Sequence, residues 1–366
     1  MIHIATTEEM NALLSTNGPV AIGISGGKDS CAVSFATYDY LDSIGHSGPR
    51  ILIHSDLGRT EWKDSLPTCE RLARTLDLDL VVVRRKAGDM LARWQQRWRN
   101  NVARYINLKC VKMILPWSTP KMRFCTSEMK TAIICSYLAS AYVGRTILSV
   151  TGIRRDEGPG RKKKPVLKTQ KKLWKAGRLK KGIAPTFGYD WHPIIEWKKP
   201  DVFAYLAAKN FRVHEAYRIY GSSRVSCAYC MMATLKDLRA AASCEDNHEL
   251  YRLMVALEIE STFSFQSGQW LGDVAPHLLT PELREQLEEA KIRALRREAV
   301  EARIPKHMLY VKGWPIAVPT LAEAELLCEV RQEVAAATRI KVKYATPNEV
   351  IARYEELMAI KEKKVA

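Results

Sequence analysis

The sequence predicts an α/β fold, a doubly wound and mostly parallel sheet, with a helical C-terminal extension. Three observations predict it. Four short runs rich in Val, Ile and Leu, at 20–24, 51–54, 80–83 and 146–151, read as strands buried on both faces. Helical patterns at 30–40, 62–76, 88–106 and 127–142 lie between them, an alternation that implies right-handed crossovers and a parallel sheet. Beyond residue 235 apolar residues recur at three- and four-residue intervals, at 283–303, 321–339 and 348–361, with Pro281 and Pro347 beside helix starts. In such a sheet ligands bind beyond the carboxyl ends of the strands, so the residues that follow each strand are where chemistry is expected.

Composition narrows the class. Of 366 residues, 47% are hydrophobic and 27% charged, the balance of a folded globular chain. No apolar run approaches the ~18 residues that span a bilayer, and the first residues lack the layout of a signal peptide, so no membrane role is expected. Lys and Arg exceed Asp and Glu by 57 to 40, a net charge of +17 that makes polyanions the natural partners. Nine irregularly spaced cysteines argue for a reducing compartment, and the expected location is cytoplasmic. Half of segment 161–182 is Lys or Arg, 11 of 22 residues with no acid, and it encloses Trp174. It reads either as a solvated loop or as a phosphate-gripping loop for nucleic acid; an exposed Trp favours contact.

The most informative residues are Ser25-Gly26-Gly27-Lys28-Asp29-Ser30, between the first strand and the first crossover helix. Two glycines let the backbone turn its N–H groups onto phosphate oxygens, and the helix directs its positive dipole end at the same anion. Lys28 adds a charge, and the Ser25 and Ser30 hydroxyls can reach oxygens or a metal. The common nucleoside-triphosphate loop needs a Gly where Ile22 stands and a Ser or Thr where Asp29 stands, so this loop is a different one. The second strand runs into Asp56, placed for magnesium or a ribose hydroxyl, and Gly58, which permits a tight exit.

The SGGKDS hexapeptide resembles the pyrophosphatase loop of the ATP-pyrophosphatase superfamily, whose members cleave ATP between the α and β phosphates. Three further stretches follow in order: Gly152-Ile153-Arg154-Arg155-Asp156-Glu157, Pro193-Ile194-Ile195-Glu196-Trp197, and Asp201-Val202-Phe203-Ala204-Tyr205-Leu206. Together they resemble the phosphoadenosine-phosphosulfate (PAPS) reductase family over roughly residues 18–235. The resemblance implies an adenine nucleotide α-hydrolase-like nucleotide-binding domain at 1–235 and a helical region at 236–366. It also implies that Gly152, Arg154 and Arg161 contact phosphates or substrate. The reactive Glu-Cys-Gly-Leu-His tail of the reductases is absent, and Cys328 sits in a helical context that suits a buried thiol.

Cys227 and Cys230 form a CxxC, a spacing that serves zinc, iron–sulfur clusters and redox pairs alike. Cys125, in an Arg-Phe-Cys-Thr segment, is a third thiol, with Cys244 or His214 as a fourth ligand. The arrangement resembles the DNA-phosphorothioation members of the family, which carry a four-iron cluster, and more distantly the transfer-RNA thiolation enzymes. Structural zinc and plain packing remain alternatives, and Cys31, Cys69, Cys110 and Cys135 read as core. His192 and His214 read first as structural histidines.

The resulting expectation is an ATP-dependent enzyme of a nucleic-acid substrate. Ser25–Ser30 would hold the phosphates, Asp29 and Asp56 the magnesium. Lys28, Asp29 and Arg154 are the catalytic candidates, with the two cations stabilising charge on the α-phosphate and the departing pyrophosphate. Sulfur on a cluster at Cys125, Cys227 and Cys230, supplied by a sulfur-donor protein, would displace the adenylate. The alternatives are a PAPS reductase-like oxidoreductase and a non-catalytic, nucleotide-gated nucleic-acid-binding protein.

Overall fold

The computed structural model describes residues 3–177 and 182–363. Contacts divide the chain into two compact units, one of Met1–Met90 with Thr119–Asn247, the other of Leu91–Ser118 with His248–Ala366. In this division the first unit ends at Asn247, and most of the helix at 88–106 belongs to the second unit.

The first unit is built on a six-stranded sheet in the order β3-β2-β1-β4-β6-β5, with β1 Val20–Ile24, β2 Arg50–Asp56, β3 Asp79–Arg84, β4 Thr146–Val150, β5 Leu167–Thr169 and β6 Phe187–Trp191. All neighbours pair in parallel except β5 with β6, which makes the sheet mostly parallel, as expected. Helices α1 (Glu8–Ser15), α2 (Lys28–Ser43) and α3 (Ser65–Leu76) belong to this unit. Met10, Val20, Ile22, Val33, Leu52, Leu72, Leu148 and Trp191 share one apolar core, and Ala21, Ile53, Leu138, Ile147 and Leu173 a second.

Three expectations change here. The strand at 79–84 is not buried on both faces: each of its residues is exposed or half-buried, and β3 is an edge strand with one neighbour. Strands β5 and β6 lie outside the four expected runs. The basic segment is not simply a loop, since its described part forms the turn Pro159–Lys162, strand β5 and the 3-10 turn Lys171–Leu173. Positions 178–181 of that segment lie outside the described residues. Trp174 is 58% exposed and stacks on exposed Phe187 at 5.9 Å.

The second unit is helical, with α4 (Met90–Ile106) and the helices His248–Ser261, Pro281–Glu301, Leu321–Thr338 and Pro347–Glu362. Thr280, Thr320 and Thr346 cap three of them by accepting a backbone N–H three residues on, with Pro281 and Pro347 at the first helical position. Arg331 is fully buried and donates to the carbonyls of Tyr105, Ile106 and Lys343, which satisfies a charge that burial would otherwise make costly. No helix among the described residues is long and apolar enough to cross a membrane.

Candidate nucleotide site

Strand β1 pairs with β2 on one side and β4 on the other, so successive connections leave β1 in opposite directions. That is a topological switch point, and a crevice opens beyond the carboxyl ends of the two strands. The Ser25–Ser30 loop leaves β1 there and Thr151-Gly152 leaves β4. Gly26 has φ +71°, a conformation that Gly adopts without the cost of a Cβ, and Gly27 is the N-cap of α2. The Ser30 hydroxyl donates to the Gly27 carbonyl (2.8 Å) and accepts from the Ser25 N–H (3.2 Å), which closes the turn. Tyr217 braces it from a distant segment: its hydroxyl accepts from the N–H groups of Lys28 (3.2 Å) and Val225 (3.0 Å).

Lys28 and Arg154 are 5% and 3% exposed, and both engage Asp29: Lys28 Nζ at Oδ2 and Arg154 Nε at Oδ1, each 2.7 Å. Burial lowers the Lys28 ammonium pKa, with Asp29 opposing that shift. Arg154 also donates to Asp156. The three catalytic candidates therefore form one charge chain in which both carboxylate oxygens of Asp29 are occupied. Asp56 accepts the Gly58 N–H at 2.7 Å, forming the tight exit at which Gly58 has φ +68°.

A cavity of about 410 Å³ lies in the crevice, within the range that holds a small organic ligand. Ser25, Asp29, Ser30, Gly152 and Arg161 line it, whereas Gly26, Gly27, Lys28, Asp56, Gly58 and Arg154 are not in its lining. Four cations face it: Arg123, Lys130, Arg161 and Arg224. Arg161 pairs with Glu157, yet burial and then the nearby Arg123 and Arg224 guanidinium groups lower its pKa. Such mutual repulsion is relieved by an anion. Of these cations sequence reasoning chose Arg161 alone; Arg123 and Arg224 sat in segments valued for their cysteines. Asp190 also lines the cavity, its carboxyl pKa raised by burial, and accepts from Gln170 at 2.8 Å.

Cys125, Cys227 and Cys230 are not in the lining of this cavity, whereas Cys135, expected as core, is. Thr126 and Ser226, the chain neighbours of Cys125 and Cys227, line it. The segment after Cys125 is a π-helical turn, Ser127–Thr131, that carries Lys130 into the lining. Burial, then Cys230, raise the Cys227 pKa, which Lys130 lowers and Cys125 raises. Cys230 accepts the Met232 N–H at 3.4 Å. Even so, no group of three His, Cys, Asp or Glu side chains converges as a metal-binding set among the described residues. The fourth-ligand candidates are engaged elsewhere. His214 caps a helical turn, its Nδ1 accepting from the Ala216 N–H at 3.0 Å, and Cys244 is buried beside the Tyr220 hydroxyl.

No curated protein sequence matches the chain. Among solved structures, a Candida glabrata FMN adenylyltransferase in complex with FMN and an ATP analogue is similar with TM-score 0.39 and 16% identity, covering 60% of this chain and 59% of that one. The chain thus spans about 59% of the length of that structure. A phosphoadenylyl-sulfate reductase from Candida auris is similar with TM-score 0.36 and 12% identity, over 62% of this chain and 97% of that one. The U34-tRNA thiolase NcsA of Methanococcus maripaludis, with its 4Fe–4S cluster, gives TM-score 0.29 and 13% identity over 69% and 74%. The family comparison is the decisive one. The phosphoadenosine phosphosulfate reductase domain matches residues 19–233, from the start of β1 to just past Cys230 and more than half of the chain, so this protein belongs to that family.

Proposed function

We propose that the protein is an enzyme that binds ATP at the Ser25–Ser30 loop, adenylates an oxygen of a nucleic-acid substrate, and exchanges that oxygen for sulfur. The observation that carries the reading is the loop itself, at the N-terminus of a 16-residue helix and opening on a cavity faced by four cations. The substrate oxygen attacks the α-phosphorus, the bond to the bridging β-phosphate oxygen breaks, and pyrophosphate leaves. Sulfide-level sulfur from a donor protein then attacks the activated carbon, and AMP departs with the original oxygen. Arg123, Lys130, Arg161 and Arg224 are the cations placed to take up the charge that develops on the phosphoryl groups.

Neither expected metal enters this scheme as a protein-held group. Asp29 and Asp56 are both engaged, so magnesium would arrive on the nucleotide's own phosphates. Cys125, Cys227 and Cys230 do not form a ligand set among the described residues, and no step is derived through a cluster or zinc. The basic segment that carries Arg161 in the cavity lining also carries exposed Lys163, Lys168 and Trp174, a composition that supports a polyanionic substrate.

The test is pyrophosphate release from ATP and magnesium in the presence of DNA or transfer RNA. The expected result is release that depends on nucleic acid and falls at least a hundredfold in Lys28→Ala; release unchanged by that substitution overturns the reading. The guanidinium cluster also suits a nucleotide with an additional phosphate or sulfate, which favours a PAPS-handling oxidoreductase as the second reading. Thioredoxin-dependent sulfite release without ATP would select it.

A further inference from the structure

The second unit carries a groove of about 710 Å³ that the nucleotide site does not use. Its rim is cationic and its floor aromatic. Tyr310 is 55% exposed, and its ring lies 6.0 Å from that of Trp314, tilted by 35°. Trp314 is fixed in turn: its Nε1 donates to the Met308 carbonyl (3.2 Å) and its ring meets Tyr354 edge-on. The Arg104 guanidinium lies over the Tyr310 ring, 4.9 Å from its centre, and donates to the Lys109 carbonyl (3.4 Å). Lys109 and Lys361 also line the groove, Lys361 Nζ donating to the Pro315 carbonyl (3.4 Å), and Gly313, with φ +84°, lets the chain turn between Tyr310 and Trp314. The one acid in the lining, Glu356, is already paired with Arg353. Arg104, Lys109 and Lys361 have no carboxylate partner among the described residues.

We propose that this groove, between α4, the segment 309–315 and the helix Pro347–Glu362, binds single-stranded nucleic acid, stacking a base on Tyr310 while Arg104, Lys109 and Lys361 hold the flanking phosphates. A half-exposed ring with Trp314 beside it and the Arg104 guanidinium over it offers a π surface on which a base stacks next to a cation, and three cations without a carboxylate partner match a backbone of phosphates rather than a neutral ligand. An acidic peptide would meet the cations but has no use for the open ring. The inference rests on the nucleic-acid reading above only for the chemical class of the partner.

The experiment measures the anisotropy of a labelled 20-nucleotide DNA and an RNA of the same sequence with the full chain. Tyr310→Ala is expected to weaken binding roughly tenfold and Tyr310→Phe to leave it intact, since one stacked base is worth on the order of 1–3 kcal/mol. The Arg104→Ala, Lys109→Ala double variant is expected to flatten the plot of log affinity against log salt by roughly 1.4, about 0.7 for each lost phosphate contact. ATP affinity and the melting temperature serve as controls and should not move. Unchanged oligonucleotide affinity in these variants, with loss in Lys163→Ala, Lys168→Ala, overturns the groove and leaves the nucleic-acid reading standing. Failure of the unmodified chain to bind either strand removes both. Displacement of the oligonucleotide by poly-glutamate at equal charge, undiminished in Tyr310→Ala, would assign the groove to an acidic peptide instead.

Discussion

Gly152 and Asp29 are in contact across the switch point: a Cβ added at Gly152 would stand 2.5 Å from the Asp29 carbonyl oxygen. The second residue after β4 therefore presses directly on the first turn of α2, the turn that forms the anion cradle. No flexible side chain lies between them to give way, because the crowded atoms belong to the backbone of Asp29 and Ser30. Gly152→Ala must push the two strand ends apart. The expected outcome is a nucleotide affinity reduced at least tenfold by calorimetry, with a stability loss of about 1–3 kcal/mol by urea unfolding. A variant with full affinity would show that the loop does not depend on this contact.

Tyr217 makes the same loop depend on a segment almost two hundred residues away. Its hydroxyl is the acceptor for two backbone N–H groups, one on Lys28 and one on Val225. Tyr217→Phe keeps the ring, which also packs edge-on against Phe203, and removes only that acceptor. Two part-buried donors then lose their partner, at a cost of about 1–3 kcal/mol for the Lys28 N–H and less for that of Val225, which lines the cavity. Denaturant midpoints should fall accordingly, and hydrogen exchange at the Lys28 and Val225 amides should accelerate more than at the centre of β1.

The cation cluster predicts opposite effects on stability and binding. Arg123 and Arg224 both repel Arg161, and among the described residues only Arg161 of the three pairs with a carboxylate, Glu157. Arg224→Gln removes a guanidinium that donates to the Met232 carbonyl (3.3 Å). The unliganded variant should melt at the same temperature as the parent or higher. Its nucleotide affinity should fall by roughly tenfold or more, as expected for loss of a charge-assisted hydrogen bond of about 1.5–3 kcal/mol. Thermal shift with and without ATP reads both effects in one experiment.

What the sequence discloses and what it hides follow from range. The SGGKDS turn is a local device, with its glycines, helix start and lysine within six residues, and it was legible. So were β1, β2 and β4, each of which carries a short buried apolar run: residues 20–22, residues 51–53, and Ile147 and Leu148 with Val150. Strand β5 was hidden because an edge of three residues, Leu-Lys-Thr, needs no apolar run. In β6, Gly188 leaves room for Leu173, whose Cβ would stand 2.4 Å from an added Cβ, and Asp190 faces the cavity, so the strand lacks the pattern of a core strand. The contributions of Tyr217, Arg224 and Arg123 were illegible for another reason: spacing along a chain says nothing about which distant segment closes a site.

His214 gives the first unit a predicted weakness in acid. It is fully buried, and its Nδ1 accepts the Ala216 N–H, so the ring carries its proton on Nε2, 3.4 Å from the Ser65 hydroxyl. Burial lowers its pKa from 6.5 to about 4; Asp64, 4.0 Å from Nδ1, opposes that shift, and Arg71 and Arg218 reinforce it. Protonation at Nδ1 would remove the cap and place a charge beside the Trp62 ring in a buried site. Since the folded pKa lies below the unfolded one, the unfolded chain takes up the proton first as pH falls. The neutral ring's contribution is therefore complete above about pH 6.5 and drains away between about 6.5 and 4. His214→Asn keeps an acceptor suited to the cap and cannot titrate. Its melting temperature should fall less than that of the parent between pH 7 and pH 4.5, and the two curves should run parallel above pH 7. Curves that stay parallel through the acid range would assign the acid sensitivity to other groups.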